Sequence, residues 1–333
     1  MQAGGLEALA EVSDVHQARY TGRVAPRAGR LRGDGLVTGP DLRRLATRTN
    51  RHGVAFAAFH GAALVATGAW LWWALGTWWM VPALLVYGVV LAHLFALLHE
   101  ATHRTAFRAQ WANTTAASIA GVIVGPPPRY FTLEHTAHHL HTQDAERDPE
   151  LIALPRSVRR YAWFVVGGPY WWWAGRTLLA HARGRFLAFE NFVPDRFRGA
   201  VVREARVVVA IYAAAVIASV ATGSTVLLWF WVLPRVVGEP AMRIARLSEH
   251  AGRPRTDDIT ENTRSLRVPA PLRMLAWNMP YHAEHHVAPS VPFHALPRLH
   301  ALVGPDLQGR RGGYLAAQAD IVHRVVHHEA PGV

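Results

Sequence analysis

The chain has 333 residues, 51% hydrophobic and only 17% charged, with 20 histidines, no cysteine, and 35 basic against 23 acidic side chains for a net charge of +12. That apolar fraction excludes a disordered chain. The missing sulfur excludes a disulfide-stapled module, a cysteine zinc site, an iron–sulfur protein and a thiol enzyme.

Residues 1–50 contain no apolar core flanked by a small-residue cleavage site, so they read as an N-terminal arm rather than a cleavable signal. Arg43, Arg44, Arg48 and Arg51 close this arm, and basic flanks stay on the cytoplasmic side of a bilayer, which places the N-terminus inside. From His52 to His99 there is no Asp, Glu, Lys or Arg. A hydrocarbon core of about 30 Å takes about 20 helical residues, so two crossings fit: residues 54–75, a turn over 76–82, and a second helix ending near Leu98. Trp70, Trp72, Trp73, Trp78 and Trp79 surround the turn as an interfacial belt; lining a substrate cavity is the alternative use.

Residues 111–125 are apolar but short, and Asn113, Thr114, Thr115 and Ser118 interrupt them, so a re-entrant or interfacial segment is expected. Residues 161–179 are Trp-rich, broken by Gly167, Gly168, Pro169 and Arg176, and flanked on both sides by arginine, as suits a helix lying in the interface. A second apolar region, 207–234, holds a turn signal at Thr222, Gly223 and Ser224. Extended to about residues 201–243, with Arg206 and Arg235 snorkelling, it makes a second hairpin. The other arrangement pairs 161–179 with one long crossing over 207–234. Either way the expected fold is an all-α integral membrane protein: four crossings, interfacial helices and a cytoplasmic helical cap. Residues 51–310 form the catalytic domain and 311–333 a cytoplasmic tail.

Three histidine clusters sit at or beyond the cytoplasmic helix ends: His99 and His103; His135, His138 and His139; His282, His285 and His286. Spacings of three and four put the imidazoles of each cluster on one helix face. Eight imidazoles exceed the three or four that serve one zinc centre, so two metal ions are the economical reading. Imidazole alone does not choose among zinc, copper, nickel and iron. Metal-bound imidazoles normally donate their second N–H to a carboxylate or carbonyl, and Glu100, Glu134, Asp148, Glu150, Glu249 and Glu284 lie in or beside these clusters. Asn262 and Arg264 are candidates for a headgroup contact, a carboxylate partner or a plain loop contact. His93 falls about 240° around the helix from His99, off the metal face, and His141 is similarly displaced. His323, His327 and His328 imitate a cluster in a polar tail and are not expected to hold catalytic metal.

In spacing and order these motifs, HxxxH, HxxHH and HxxHH with a membrane hairpin before the last, resemble the membrane fatty acid desaturase and hydroxylase superfamily of non-haem di-iron enzymes. Residues 278–300 are similar to the third-box region of bacterial acyl desaturases and carotenoid ketolases, and 246–254 to the isolated Glu-His of alkane hydroxylases. The resemblance covers about residues 50–305. It implies two iron ions on the cytoplasmic helix ends, with His99, His103, His135, His138, His139, His250, His282, His285 and His286 as ligands, their division between the ions left open. Two departures stand out. Arg246 occupies the place where acyl-CoA desaturases carry an Asn one turn before the isolated His, and the first box is HxxxH where that branch has HxxxxH.

The resemblance further implies dioxygen-dependent attack on an unactivated C–H bond of a lipid, alkane or carotenoid-like substrate, ending in an alkene or an alcohol, with desaturation favoured by the third-box context. With no cysteine, GxGxxG fingerprint or fused cytochrome, the electrons must come from a separate donor, a ferredoxin with its reductase or a cytochrome. Basic charge would steer an acidic donor, although positive-inside topology explains the same charge. A nucleic-acid partner is not expected, since no recognised motif accompanies the high pI. A bacterial inner membrane is the expected location. A membrane metal-binding protein or transporter is the competing class, but transporters bind near the bilayer midplane rather than at helix ends.

Overall fold

The computed structural model describes residues 36–309 and 312–328, and among them every regular element is helical. Residues 1–35 of the expected arm, 310–311 and the last five of the tail lie outside the described residues. The rest of the arm forms α1 (Gly39–Leu45), whose N-terminus is capped by the Thr38 side chain.

Among the described residues, three helices are long and apolar enough to cross a membrane. The first is α2 (Asn50–Ala74), capped by Thr49. The second, Met80–Thr102, consists of α3 (Met80–Ala92) and α4 (Leu94–Thr102) around a break at His93, whose Nδ1 lies 2.7 Å from the Val89 carbonyl. His93 belongs to neither histidine group, as its place off the metal face predicts. The span runs past the end anticipated at Leu98, so the first histidine cluster is built on its last turns. The third is α9 (Asp195–Thr222), closed by Gly223 at φ +63° as the turn signal predicted. The middle span is 56% buried in its most apolar window, against 11% for each of the others. It is therefore the most sheltered of the three, with α2 packed against α3 on one side. Trp72, Trp73, Trp78 and Trp79 are exposed around the α2–α3 turn, as a belt requires.

The return from α9 runs through a π-helical turn (Leu228–Val232) into α10 (Leu233–His250). It carries Arg235, Glu239, Arg243, Arg246 and Glu249 and is not among the three apolar helices. Arg235 does not snorkel. It is buried, donating to the Val124 carbonyl at 2.6 Å and pairing with Glu239 at 3.2 Å. The charge is neutralised inside the bundle, where an unpaired one would be costly. α10 packs on α3 through two glycines: a Cβ on Gly238 would fall 2.0 Å from the Gly88 carbonyl oxygen, so no larger residue permits this approach.

Residues 110–124 form α5 (Gln110–Val124), about 22 Å long at 1.5 Å per residue and too short to cross. α6 (Pro128–His141) follows. The Trp-rich stretch is two helices, α7 (Val158–Val165) and α8 (Gly168–Ala182), broken at Gly167, which adopts φ +81°. The C-terminal third adds α11 (Ile259–Asn262), α12 (Ala270–Leu275), α13 (His282–Val287), α14 (Leu296–Val303) and α15 (Tyr314–Val326). One core joins α4 and α5 to this third through Leu98, Phe107, Trp277, Phe293, Leu296 and Leu299, and that packing brings the third cluster against the first.

Candidate metal centre

Each cluster is presented by a helix end. His99 and His103 lie on the last turn of α4, where Arg104 turns the chain at φ +59°. His135, His138 and His139 occupy the last turns of α6, and His250 ends α10. His282, His285 and His286 lie on α13, entered through two consecutive left-handed residues, Trp277 (φ +49°) and Asn278 (φ +59°). Such a conformation is rare for tryptophan and persists only where packing enforces it. Here Trp277 is fully buried against Phe56, Phe107 and Phe293, and Asn278 Nδ2 donates to the Phe293 carbonyl at 2.9 Å.

The nine histidines converge into two buried groups. His99, His103, His135, His139 and His285 form one, and His138, His250, His282 and His286 the other, with nitrogens inside each group all within 4.8 Å of one another. A single face per cluster is therefore not what the fold uses. Residues i and i+4 stay together, as His135 with His139 and His282 with His286, while the i+3 residues His138 and His285 go to the opposite group. Neighbours on a helix diverge by about 100°, so packing two such helices together sorts six imidazoles three and three.

The geometry fits cations. Nε2 atoms face each other at 3.0 Å for His135 and His139, 3.1 Å for His139 and His285, 3.0 Å for His250 and His282, and 3.2 Å for His282 and His286. A neutral imidazole has one N–H, so it cannot satisfy several facing nitrogens by hydrogen bonds. Two donors bound about 2.1 Å from one ion at a right angle lie about 3 Å apart, the spacing seen here. Both nitrogens of His99 and Nε2 of His138 are also buried with no hydrogen-bond partner among the described residues, and a cation in each group would remove that cost for one His99 nitrogen and for His138 Nε2.

Outer contacts orient the rings. His138 Nδ1–H donates to Asp148 at 2.8 Å and His135 Nδ1–H to Glu150 at 2.7 Å. Glu150 in turn pairs with Arg246, which also reaches Glu249 at 3.1 Å. Arg246 thus acts through a carboxylate, where the acyl-CoA pattern has an Asn. His286 Nδ1 lies 3.2 Å from Thr142 Oγ1, and His250 Nδ1 lies 3.4 Å from the Asn262 carbonyl and 3.3 Å from Thr263 Oγ1. The other acidic candidates are placed differently. Glu249 lies 3.7 Å from His282, Glu100 accepts from Thr105, Glu284 holds Ser265 and His300, and Glu134 meets Tyr130 at 3.3 Å. Arg264 pairs with Asp320, away from the histidines. Thr142 was legible as the residue four past His138. Thr263 and the Glu150 contact of Arg246 were not, because they depend on chain crossings.

Burial, followed by the neighbouring imidazoles, pushes His139, His282 and His286 well below the usual histidine range, leaving them neutral and able to donate lone pairs. Burial lowers His138 too, but Asp148 and Glu150 outweigh it and the net shift is upward. Burial and Glu150 push Glu134 well above the carboxylate range, whereas His135 and Arg246 overcome burial and keep Glu150 ionised.

A cavity of about 490 Å³ opens beside the five-histidine group. Its apolar wall includes Phe95, Phe131, Phe164, Trp173 and Leu178, and Glu134, Glu150 and Arg246 lie at its polar edge. Phe131 stacks on His135 with centroids 5.2 Å apart, so the wall reaches the ring of a candidate ligand. His323 and His327 meet at a tilt with ring centroids 4.4 Å apart and belong to neither group.

Residues 76–317 match the fatty acid desaturase family, well over half of the chain. The chain belongs to that family, a family of oxidoreductases. It is 25% identical over 242 residues to a dihydrorhizobitoxine desaturase of Bradyrhizobium elkanii, covering 65% of this chain and 66% of that protein. It is 24% identical over 258 residues to an sn-1 oleoyl-lipid 12-desaturase of Synechocystis sp., covering 70% of this chain and 72% of that protein. The family match over residues 76–317 contains all nine histidines.

Proposed function

We propose that this desaturase-family member is a membrane-bound di-iron enzyme that uses dioxygen to introduce a double bond into a fatty acyl chain or a related hydrophobic substrate. The observation that carries the reading is the sorting of nine buried imidazoles into groups of five and four. The five-histidine group holds one iron and the four-histidine group the other. When bound, the pair supplies the redox chemistry that activates dioxygen. The reaction balances as R–CH₂–CH₂–R′ + O₂ + 2 e⁻ + 2 H⁺ → R–CH=CH–R′ + 2 H₂O. The electrons come from a separate ferredoxin with its reductase, or from a cytochrome.

The chain's own residues position the reactants. Asp148 and Glu150 fix the tautomers of His138 and His135 and raise their basicity. Phe95 and Phe131 give the substrate chain an apolar wall against the five-histidine group, excluding water and setting which carbons lie closest. The relatives' names give two substrates, dihydrorhizobitoxine and an oleoyl lipid, and the aromatic cavity favours an extended apolar chain. Hydroxylation or ketolation is the second reading, favoured by the alkane-hydroxylase-like Glu249-His250 pair and by Arg246.

We assign residues 1–50 to an arm, 51–310 to the catalytic domain and 311–333 to a tail. The segment from Leu228 into α10 is the fourth crossing, its charges paired within the bundle. Both termini and the histidine groups face the cytoplasm of a bacterial inner membrane. The test is mass spectrometry of lipids from cells expressing the chain with a ferredoxin and reductase. Products short of two hydrogens support desaturation, a gain of one oxygen supports the second reading, and an unchanged lipid pool contradicts both.

A further inference from the structure

A second cavity, of about 520 Å³, lies where α1, the start of α2 and α14 meet, and none of the nine histidines lines it. Its polar lining is cationic or neutral: Arg44, Arg298, His52 and His294 face it, and no Asp or Glu among the described residues does. Arg44 spends one edge on Asp41 at 3.1 Å, and Arg298 has no ion pair among the described residues. His52 is held by Thr49 Oγ1 at 2.8 Å and stacks on His294 with centroids 4.2 Å apart and planes 17° apart. His294 Nε2 is sealed from water and has no hydrogen-bond partner. Burial, and after it the neighbouring His52 and Arg298, push the His294 imidazole down to about 4.

The place of the cavity says what supplies that charge. α2 has 25 residues, about 37 Å at 1.5 Å per residue, and so outlasts a hydrocarbon core of about 30 Å. Thr49 and His52, at its first turn, therefore sit at headgroup depth, where the helix dipole also favours an anion. Besides Thr47 and Thr49, the rest of the lining is apolar, with Leu45 and Leu302, which suits the glycerol and first methylenes of a lipid better than a free ion. Without a carboxylate, the cavity offers nothing to a choline or ethanolamine amine.

We propose that this cavity is a binding site for the phosphate of an anionic phospholipid, clamped between Arg44 and Arg298 with His52 and His294 beneath it. The site is separate from the histidine groups and does not depend on the reaction assigned to them.

The test uses the full-length protein in detergent, titrated with phosphatidylglycerol, with phosphatidylcholine and with inorganic phosphate. Binding is read by native mass spectrometry and by the thermal midpoint. Arg44 and Arg298 are exposed, so the double variant R44Q/R298Q keeps the fold, which far-ultraviolet circular dichroism checks. R159Q/R160Q, at exposed arginines outside the cavity, is the control. The expected result is phosphatidylglycerol binding at least about tenfold tighter than phosphatidylcholine, a preference lost in R44Q/R298Q, kept in the control and unaffected by millimolar phosphate. Equal binding of the two lipids, an unchanged preference in R44Q/R298Q, or its loss in the control overturns the proposal. Displacement by inorganic phosphate also overturns it, since the site would then be one for the free ion.

Discussion

The five-histidine group takes His99 and His103 from the end of the most sheltered span, and its outer support is the Glu150–Arg246 pair. The four-histidine group takes His250 from the end of α10 and leans on Asp148, Thr142 and the loop residues Asn262 and Thr263. The two share α6 and α13, so the difference lies in what surrounds them. One is locked into apolar packing and a buried ion pair. Both reach α10, but the first only through Arg246 behind Glu150, whereas the other takes the ligand His250 itself from it and so depends more directly on how closely α10 approaches α6. Two ions in similar imidazole cages would therefore be held with unequal security, the four-histidine ion more loosely.

The largest effects come from removing a ligand. His285→Ala and His138→Ala should each abolish turnover while the protein still inserts, and each should lower the iron content by about one ion per chain, seen by elemental analysis. Loss of both ions from either variant would show that the groups are not independent. Gly238→Val is expected to come next. Its side chain meets the Gly88 backbone rather than a movable side chain, so α10 must back away from α3, destabilising the protein by about 3 kcal/mol in denaturant unfolding. Because α10 carries His250, iron should be lost from the four-histidine group first. Full iron retention in a folded Gly238→Val protein would break the proposed dependence on that approach.

Smaller effects separate the outer contacts. Asp148→Asn should weaken metal retention at the four-histidine group, and Glu150→Gln at the five-histidine group, each by roughly 10- to 100-fold in a chelator competition. Glu150→Gln also leaves Arg246 with Glu249 alone, so it should be the more destabilising of the two in thermal unfolding. Equal loss from both groups in either variant would mean that the outer contacts are not partitioned as the geometry has them.

What the sequence made legible was mostly local. Charge-free runs marked α2 and α3, Gly223 marked the turn after α9, and the three- and four-residue spacings marked the clusters on α4, α6 and α13. His250 became a candidate only through resemblance, since a lone histidine carries no spacing. The division of ligands was hidden because it depends on which sides of α6 and α13 approach each other, and neither helix records that alone. Arg246 is 96 residues from Glu150, and Arg235 looked free to snorkel until α5 supplied the Val124 carbonyl. The span count stayed coarser than expected for a similar reason. The charges of α10 are tolerable through pairing, which an average over apolarity does not register.

The central claim is that two iron ions occupy the two histidine groups. Elemental analysis of the purified full-length protein measures it most directly. About two irons per chain, falling to about one in His138→Ala, is the predicted result. A single zinc, or no metal, in a folded protein would contradict it.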